Sequence, residues 1–528
     1  MSGAEIIIEA LKNEGVETVF GYPGGAILPL YDALFQQKDI KHILSKHEQA
    51  AAHSAEGYAR STGKVGIIIV TSGPGATNTI TGLTDAFLDS IPTICFSGQV
   101  ASGVIGTDGF QEADITGLTR SCTKYNYLVK NTDDLGYIIH EAFHIAKTGR
   151  PGPVLIDIPK DIQNNLGNYG GLQKINRPSY QVQSKSFEKI PDDKISQAVD
   201  LLKNSKKPII YFGGGLINSG PKASKLLKEF AELTNFPITG TLMGLGAFPT
   251  DHDNFLGMLG MHGTYEANMA MSEADVILAV GARFDDRVTN SDVSKFCPNA
   301  TILHVDIDPA SISKTVTAHV PIVGPVVPVL EEMLEQVKAS KIKIDAEALA
   351  AWWKKIDHWR ERDSLGVTPA DGEMIKPQQV IQALYKVTNG EAYVTSDVGQ
   401  HQMFAAQYYH FDLPRRWINS GGLGTMGFGL PAAMGVQLAF PDAIVACVTG
   451  EGSIQMNIQE LATCKQCALP IKIVNLNNEA LGMVKQWQDM QYSGRYSQST
   501  YADSLPDFVA LAEAYGHVGI RIEKMSEL

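Results

Sequence analysis

Cysteine is scarce, with six residues in a chain of 528. Cys95, Cys122, Cys297, Cys447, Cys464 and Cys467 lie in apolar or helical contexts, without the spacing of a zinc site or a disulfide framework. Cys464 and Cys467 form a C-x-x-C, but neither redox flanks nor a second pair accompany it, so both read as helix residues. Reduced thiols suit a cytoplasmic chain. No apolar run reaches the length of a membrane span, so none is predicted. The opening stretch carries Glu5 and Glu9 and reads as a helix; a signal peptide needs a basic start and an apolar core. Basic residues are outnumbered, and the net charge is −13. That excludes nucleic acid as a main partner, because a phosphate backbone calls for basic patches. A few local cations still suffice for small anionic substrates.

What is abundant points to a large folded enzyme. Hydrophobic residues make up 44% and charged residues 19%, too apolar for disorder. The 50 glycines suit many tight strand-to-helix turns. Short apolar runs recur at Val65–Val70, Thr93–Ser97, Val154–Ile158, Pro208–Phe212, Val276–Val280, Thr301–Val305, Ile444–Val448 and Ile471–Leu476, with helical patterns between them. Continuous apolar strands alternating with helices mean parallel sheets covered on both faces, so the class is α/β, doubly wound. Asn164–Pro191 and Lys341–Pro369 break the rhythm and read as connectors or helical linkers. The expected domains are therefore 1–165, 188–340 and 375–528, joined by linkers at 166–187 and 341–374. His517–Ile522 reads as a strand and Lys524–Leu528 as the first turn of a helix, so a truncated C-terminus is expected.

Two turns carry the chemistry. In the third block a strand runs into Thr449-Gly450-Glu451-Gly452-Ser453, a helix is expected from Ile454 to about Gln466, and the next strand ends at Asn477-Asn478. A Gly-rich turn at a helix start offers free backbone N–H groups to phosphate. An acid there can hold a cation that bridges phosphate oxygens, with a second oxygen ligand from the neighbouring strand tip, 27 residues on. In the first block Phe20-Gly21-Tyr22-Pro23-Gly24-Gly25-Ala26 and Thr71-Ser72-Gly73-Pro74-Gly75-Ala76-Thr77-Asn78 are strand-to-helix turns. Between them His47-Glu48 opens a small-residue helix that runs to Arg60. Glu48 alone would read as a first-turn acid facing the helix dipole.

The third-block pattern resembles the motif of thiamine-diphosphate enzymes: Gly-Asp-Gly, about 25–30 residues, then Asn-Asn, placed at strand ends. Further segments are similar to the catalytic large subunits of acetolactate synthases along essentially the whole chain. They are Tyr22–Ala26, Gly109-Phe110-Gln111-Glu112, Ile158–Gln163, Met258-Leu259-Gly260-Met261-His262-Gly263, Arg283-Phe284-Asp285-Asp286-Arg287-Val288, Gly422–Gly429 and Gln486-Trp487. The resemblance implies three doubly wound domains and an enzyme that decarboxylates pyruvate and passes the hydroxyethyl unit to a second pyruvate or to 2-oxobutyrate. The products would be 2-acetolactate or 2-aceto-2-hydroxybutyrate, in valine, leucine and isoleucine biosynthesis.

By resemblance, Glu451, Asn478 and the backbone oxygen of Ala480 bind Mg²⁺, and Gln400, His401, Gly424, Met426, Gly450, Gly452 and Ser453 hold thiamine diphosphate. Glu451 departs from the usual Asp by one methylene, which matters because Mg²⁺ demands tight geometry. Glu48 matches the acid that protonates the aminopyrimidine ring so that the thiazolium C2 proton can leave. Arg287 matches the acceptor-binding Arg, whose planar fork suits a carboxylate. Trp487 matches the residue that favours 2-oxobutyrate. Gln111 and Lys160 are the other catalytic positions, and Gly25, Ala26, Phe110 and Met261 line the channel. Taken singly, Met261 and Phe110 read as core, and Arg287 as a partner of Asp285 or Asp286.

Phe212-Gly213-Gly214-Gly215 after a strand is a weak dinucleotide signal by itself. The resemblance adds an FAD site from Arg150, Gly213, Gly214, His262, Arg283, Asp285 and Asp306. It also implies a homodimer or tetramer with the site at the subunit interface, and a small regulatory subunit. Glyoxylate carboligase, pyruvate oxidase, oxalyl-CoA decarboxylase and a non-catalytic relative are the alternatives at this point.

Overall fold

The computed structural model describes residues 1–172, 174–175, 191–290, 292–339, 345–368 and 374–528. Much of the expected linker 166–187 and the first residues of the expected linker 341–374 lie outside them.

Three sheets carry the chain. The first holds β1 (Thr18–Tyr22), β2 (Lys41–Leu44), β3 (Gly66–Val70), β4 (Thr93–Gln99), β5 (Tyr125–Leu128) and β6 (Val154–Pro159), in the order β2-β1-β3-β4-β6-β5. The second holds β7 (Pro208–Phe212), β8 (Ile238–Gly240), β9 (Phe255–Met258), β10 (Val276–Val280), β11 (Thr301–Asp306) and β12 (Val320–Val323), in the order β12-β11-β10-β7-β8-β9. The third is β14-β13-β15-β16, from β13 (Tyr393–Ser396), β14 (Trp417–Asn419), β15 (Val445–Thr449) and β16 (Lys472–Asn475). The central strands β3, β4, β6, β7, β10 and β15 are buried along their whole length, as parallel strands covered on both faces should be.

The chain divides into two compact units. The first joins residues 1–178, 392–402 and 418–522, and so unites the first and third blocks. Its two parts meet along the helices Glu48–Thr62 and Gly429–Ala439, both built of small residues. A Cβ added at Gly57 would lie 2.2 Å from the Ala432 carbonyl oxygen, and one at Gly435 would lie 2.0 Å from that of Ser54. The backbones therefore approach closer than any larger residue would allow. Beside this seam Arg60 pairs with Glu56 at 3.0 Å and Asp89 at 2.9 Å, and stands 3.6 Å from Asp85, all of them buried.

The second unit comprises 179–391, 403–417 and 523–528. The Trp-rich stretch expected as a linker is the helix Ala346–Arg360. It packs firmly: Trp352 is buried, donates its indole N–H to the Pro208 carbonyl at 3.1 Å and meets Trp359 edge-on at 5.6 Å.

Three expectations need correction. The helix from Ile454 to Gln466 is two shorter helices, Glu451–Ile454 and Glu460–Gln466. The intervening turn is fixed by Asn457, which donates to the Gly427 carbonyl at 2.8 Å. His517–Ile522 forms no strand. Its alternation supplies an apolar face but no ladder partner, and Val518 and Ile520 are 87% and 78% exposed. Lys524–Leu528 makes only the 3-10 turn Met525–Glu527.

Among the described residues no helix is long and apolar enough to cross a membrane.

Candidate active site

Parallel strands put the loops that follow them on one edge of the sheet, where ligands of doubly wound folds bind. Register fixes which loops are neighbours. In the first sheet Gly21 pairs with Leu44, Tyr22 with Val70, Val70 with Ser97 and Gln99 with Pro159. The turns holding Gly25 and Ala26, Glu48, Gly73–Asn78, Phe110 and Gln111, and Lys160 therefore share one edge.

Glu48 opens its helix, with His47 as the cap accepting the Gln49 N–H at 3.1 Å. The half-buried Glu48 carboxylate accepts the Asn78 amide at 3.0 Å. A Cβ on Gly75 would meet Thr71 at 2.7 Å and Glu48 Oε1 at 3.4 Å, so the turn passes close beside the acid. Thr71 accepts the Ala26 N–H at 3.3 Å, which ties the Gly25-Ala26 turn to the same place. Gln111 adopts a left-handed backbone, φ +59°, against Gly73, where a Cβ would stand 2.8 Å from the Gln111 carbonyl. A non-glycine residue held this way is a mark of an over-determined loop. Glu112 accepts the Gly109 N–H at 2.9 Å, and Asp161, next to Lys160, accepts the Ser102 N–H at 2.8 Å, so both ends of the loop are fastened. Phe110 is 90% exposed at the tip of that loop, which overturns its reading as core.

The third sheet gathers a second constellation. Ser396 pairs with Val448 and Thr449 with Asn475, which brings the loops after β13, β15 and β16 together. The buried Glu451 carboxylate accepts the Ala480 N–H at 2.9 Å, the Asn478 N–H at 3.3 Å and the Tyr501 hydroxyl at 3.0 Å. Glu479, at φ +59°, turns the backbone between the two amide donors. Asn478 donates to Gln400 at 3.3 Å, and Gln400 donates to Gln486 at 3.2 Å, one residue before the half-buried Trp487. A Cβ at Gly482 would collide with both Gln400 and Asn478, at 2.2 and 2.6 Å. Ser453 donates to the Val398 carbonyl at 3.2 Å. A Cβ at Gly450 would stand 2.8 Å from His401, whose ring is driven down to about 4 by burial and is therefore neutral. Gly424, at φ +74°, precedes the half-buried Met426, and Ser420 accepts the Thr425 N–H between them at 2.8 Å.

In the second unit β7, β10 and β11 lie side by side, with Phe212 paired to Val280 and Val280 to Val305. Gly213 and Gly214, Arg283 and Asp285, and Asp306 thus share that sheet's carboxyl edge. Asp285 caps a short helix by accepting the Arg287 N–H at 3.1 Å. The Arg287 carbonyl accepts the Met261 N–H at 3.1 Å, which sets Met261, His262 and the exposed Arg287 together. Burial, with Arg287 nearby, lowers the His262 imidazole below its ordinary value. Met261 is 42% exposed and so is not core either. Arg150 belongs to the first unit, where it donates to Ser90 Oγ at 2.7 Å and to the Leu88 carbonyl at 3.2 Å.

Comparison with known proteins supplies the family. Residues 1–118 match the N-terminal binding domain of thiamine pyrophosphate enzymes, 195–333 their central domain and 397–528 their C-terminal binding domain. The acetolactate synthase large subunit of Buchnera aphidicola subsp. Schizaphis graminum is 57% identical over 530 residues, covering 100% of this chain and 91% of that one. The chain belongs to the acetolactate synthase large subunits. The isozyme 3 large subunit of Escherichia coli matches equally well, at 57% identity over 530 residues. The large subunit of Corynebacterium glutamicum is 47% identical over 531 residues, 83% of its length.

For an acetolactate synthase large subunit the third-sheet constellation fits a diphosphate and its cation. The set offers hard oxygen donors, which suit Mg²⁺. His401 Nε2 is buried without a hydrogen-bond partner among the described residues, which calls for a polar guest. Sequence motifs missed Asn78 as the partner of Glu48 and Tyr501 as a donor to Glu451. Tyr501 lies 50 residues beyond Glu451 with no motif around it, so no local signal could have found it.

Proposed function

We propose that this chain joins two 2-oxo acids with loss of CO₂, making 2-acetolactate from two pyruvates and 2-aceto-2-hydroxybutyrate from pyruvate and 2-oxobutyrate. The observation that carries the proposal is the convergence of Glu451, Asn478, Ala480 and Gln400 at one sheet edge in a chain that matches acetolactate synthase large subunits along its whole length. Bound thiamine diphosphate would supply the electron sink for decarboxylation, with Mg²⁺ on its diphosphate.

This chain's residues have separate tasks. Glu451, the Asn478 side chain and the Ala480 carbonyl would hold the cation, while Gln400, His401, Gly450, Gly452 and Ser453 would hold the diphosphate. Gly424 and Met426 would help hold the cofactor. Glu48, kept in place by Asn78, handles the proton on the pyrimidine ring. Arg287 receives the acceptor's carboxylate, and its exposed fork suits that role. Trp487 offers a broad face to the extra methylene of 2-oxobutyrate, a difference worth about 1–3 kcal/mol in an apolar pocket. Phe110, Gln111, Lys160, Gly25 and Ala26 would form the approach.

FAD would bind at the edge formed by Gly213, Gly214, His262, Arg283, Asp285 and Asp306. Glu48 and the Glu451 turn would serve one cofactor from two chains of a homodimer. The "large subunit" of the relatives' names supports a small regulatory partner here too. Six thiols without a disulfide agree with a cytoplasmic location.

The test is thiamine diphosphate- and Mg²⁺-dependent formation of acetolactate and CO₂ from pyruvate. Consumption of pyruvate only to acetaldehyde or acetyl phosphate would refute the proposal.

A further inference from the structure

The helix Glu460–Gln466 contributes nothing to the metal turn, yet it opens on a fully buried carboxylate. Glu460 Oε1 accepts the Lys46 N–H at 2.7 Å, and its other oxygen accepts the Thr463 hydroxyl at 2.8 Å. Thr463 Oγ1 also lies 3.0 Å from the Leu44 carbonyl. Lys46 Nζ reaches Gln466 at 3.1 Å. One helix of the third block thus grips three points of the segment 44–46. That segment is the turn between β2 and the helix Glu48–Thr62. His47 caps the helix, and Glu48 is its first residue.

We infer that Glu460 is a positioning residue for Glu48: it anchors the backbone two residues ahead of the acid and so fixes where its carboxyl is presented. This rests on the role of Glu48 proposed above. The tie is short and its acceptor is fully buried, so water does not compete for it. Beyond the helix 460–466, the turn's described backbone tie is the Ser45 N–H to the Gly21 carbonyl, at 3.2 Å. Burial pushes the Glu460 carboxyl up to about 7, opposed by the Lys46 and His47 backbone and by the Thr463 hydroxyl. The anchor depends on an acceptor at this place, not on its charge. A Gln side chain would still accept the Lys46 N–H through its oxygen. Its amide would donate to Thr463, whose hydroxyl then donates to Leu44.

The experiment compares Glu460→Ala, Glu460→Gln and Glu48→Gln in the full chain. The readouts are turnover, exchange of the bound cofactor's C2 hydrogen for deuterium by NMR, the thiamine diphosphate dissociation constant and the melting temperature. A displacement near 1 Å lowers rates by up to about 10²-fold. Glu460→Ala is therefore expected to slow both turnover and C2 exchange about tenfold, with cofactor affinity within about threefold. Glu460→Gln should stay within about twofold of the parent on every readout. Parent-like exchange in Glu460→Ala, or a Gln variant as slow as the Ala variant, overturns the inference. So does a loss of cofactor affinity that matches the loss of rate. If Glu460→Ala does not fold, Glu460→Asp takes its place with the same expectation, since its shorter arm cannot reach Lys46 N. Glu48→Gln keeps the two ideas apart. Fast exchange in that variant removes Glu48 from the mechanism, whereas slow exchange there with fast exchange in Glu460→Ala overturns the positioning role alone.

Discussion

Replacing Arg60 with Met removes the only cation described within a cluster of three buried acids. Arg60 Nη2 lies 3.0 Å from Glu56, 2.9 Å from Asp89 and 3.6 Å from Asp85, and each of these side chains is at most 5% exposed. Asp89 in turn accepts the Gly421 and Gly422 N–H groups at 3.0 and 2.7 Å, so the cluster also fastens the loop that leads to Met426. Breaking one partner out of a buried charge pair costs about 3–5 kcal/mol, because the remaining charge has no counter-ion. For a unit of this size that is a fall in melting temperature of roughly 10 °C. The deficit should also depend on pH. Burial holds the Glu56 carboxyl up at about 8, with Arg60 opposing it, and raises Asp85 as well. A carboxyl raised above its unfolded value of 4.5 binds its proton more tightly when folded. Its cost is absent below that value and grows as the pH rises towards the folded value. Without Arg60 the folded value climbs further, so Arg60→Met should lose more at pH 8 than at pH 6. Thermal unfolding followed by tryptophan fluorescence at the two pH values is the assay. A change under 3 °C, or a deficit independent of pH, would refute the reasoning.

Trp487→Leu removes a broad aromatic face, so in a competition of equal pyruvate and 2-oxobutyrate the yield of 2-aceto-2-hydroxybutyrate should fall about tenfold relative to acetolactate. Product ratios by chromatography check this, and unchanged ratios count against the role of Trp487. Burial raises all six thiols, Cys95, Cys297 and Cys464 to about 12, and Cys467 alone is half-buried. Thiol titration of the native chain at pH 8 should therefore find at most one fast-reacting cysteine, and two or more would show that the cores are looser than described.

How much of this was legible follows from where the information sits. Pro208–Phe212 and Val276–Val280 were found to the residue because strands buried on both faces are continuous apolar runs. The edge strands β2 and β5, KHIL and YNYL, escaped because one side faces water and their composition is mixed. His517–Ile522 failed for the opposite reason: its pattern is strand-like, but pairing needs a neighbouring edge. Glu451 and Asn478 were visible because one strand–helix–strand passage separates them. Asn78, Tyr501, Glu460 and the Arg60 cluster were not visible as partners. Each is ordinary in its own segment and gains its role from a residue 30 or more positions away in most cases: Asn78 from Glu48, Tyr501 from Glu451, Glu460 from Lys46.

A subunit-mixing assay tests the shared site most directly. Glu48→Gln and Glu451→Ala chains, each inactive alone, are mixed, dissociated and reassembled. If each cofactor is served by Glu48 of one chain and Glu451 of the other, half the dimers are hybrids with one intact site, and acetolactate synthesis returns to about a quarter of the parent rate. A mixture as inactive as its components would contradict the account.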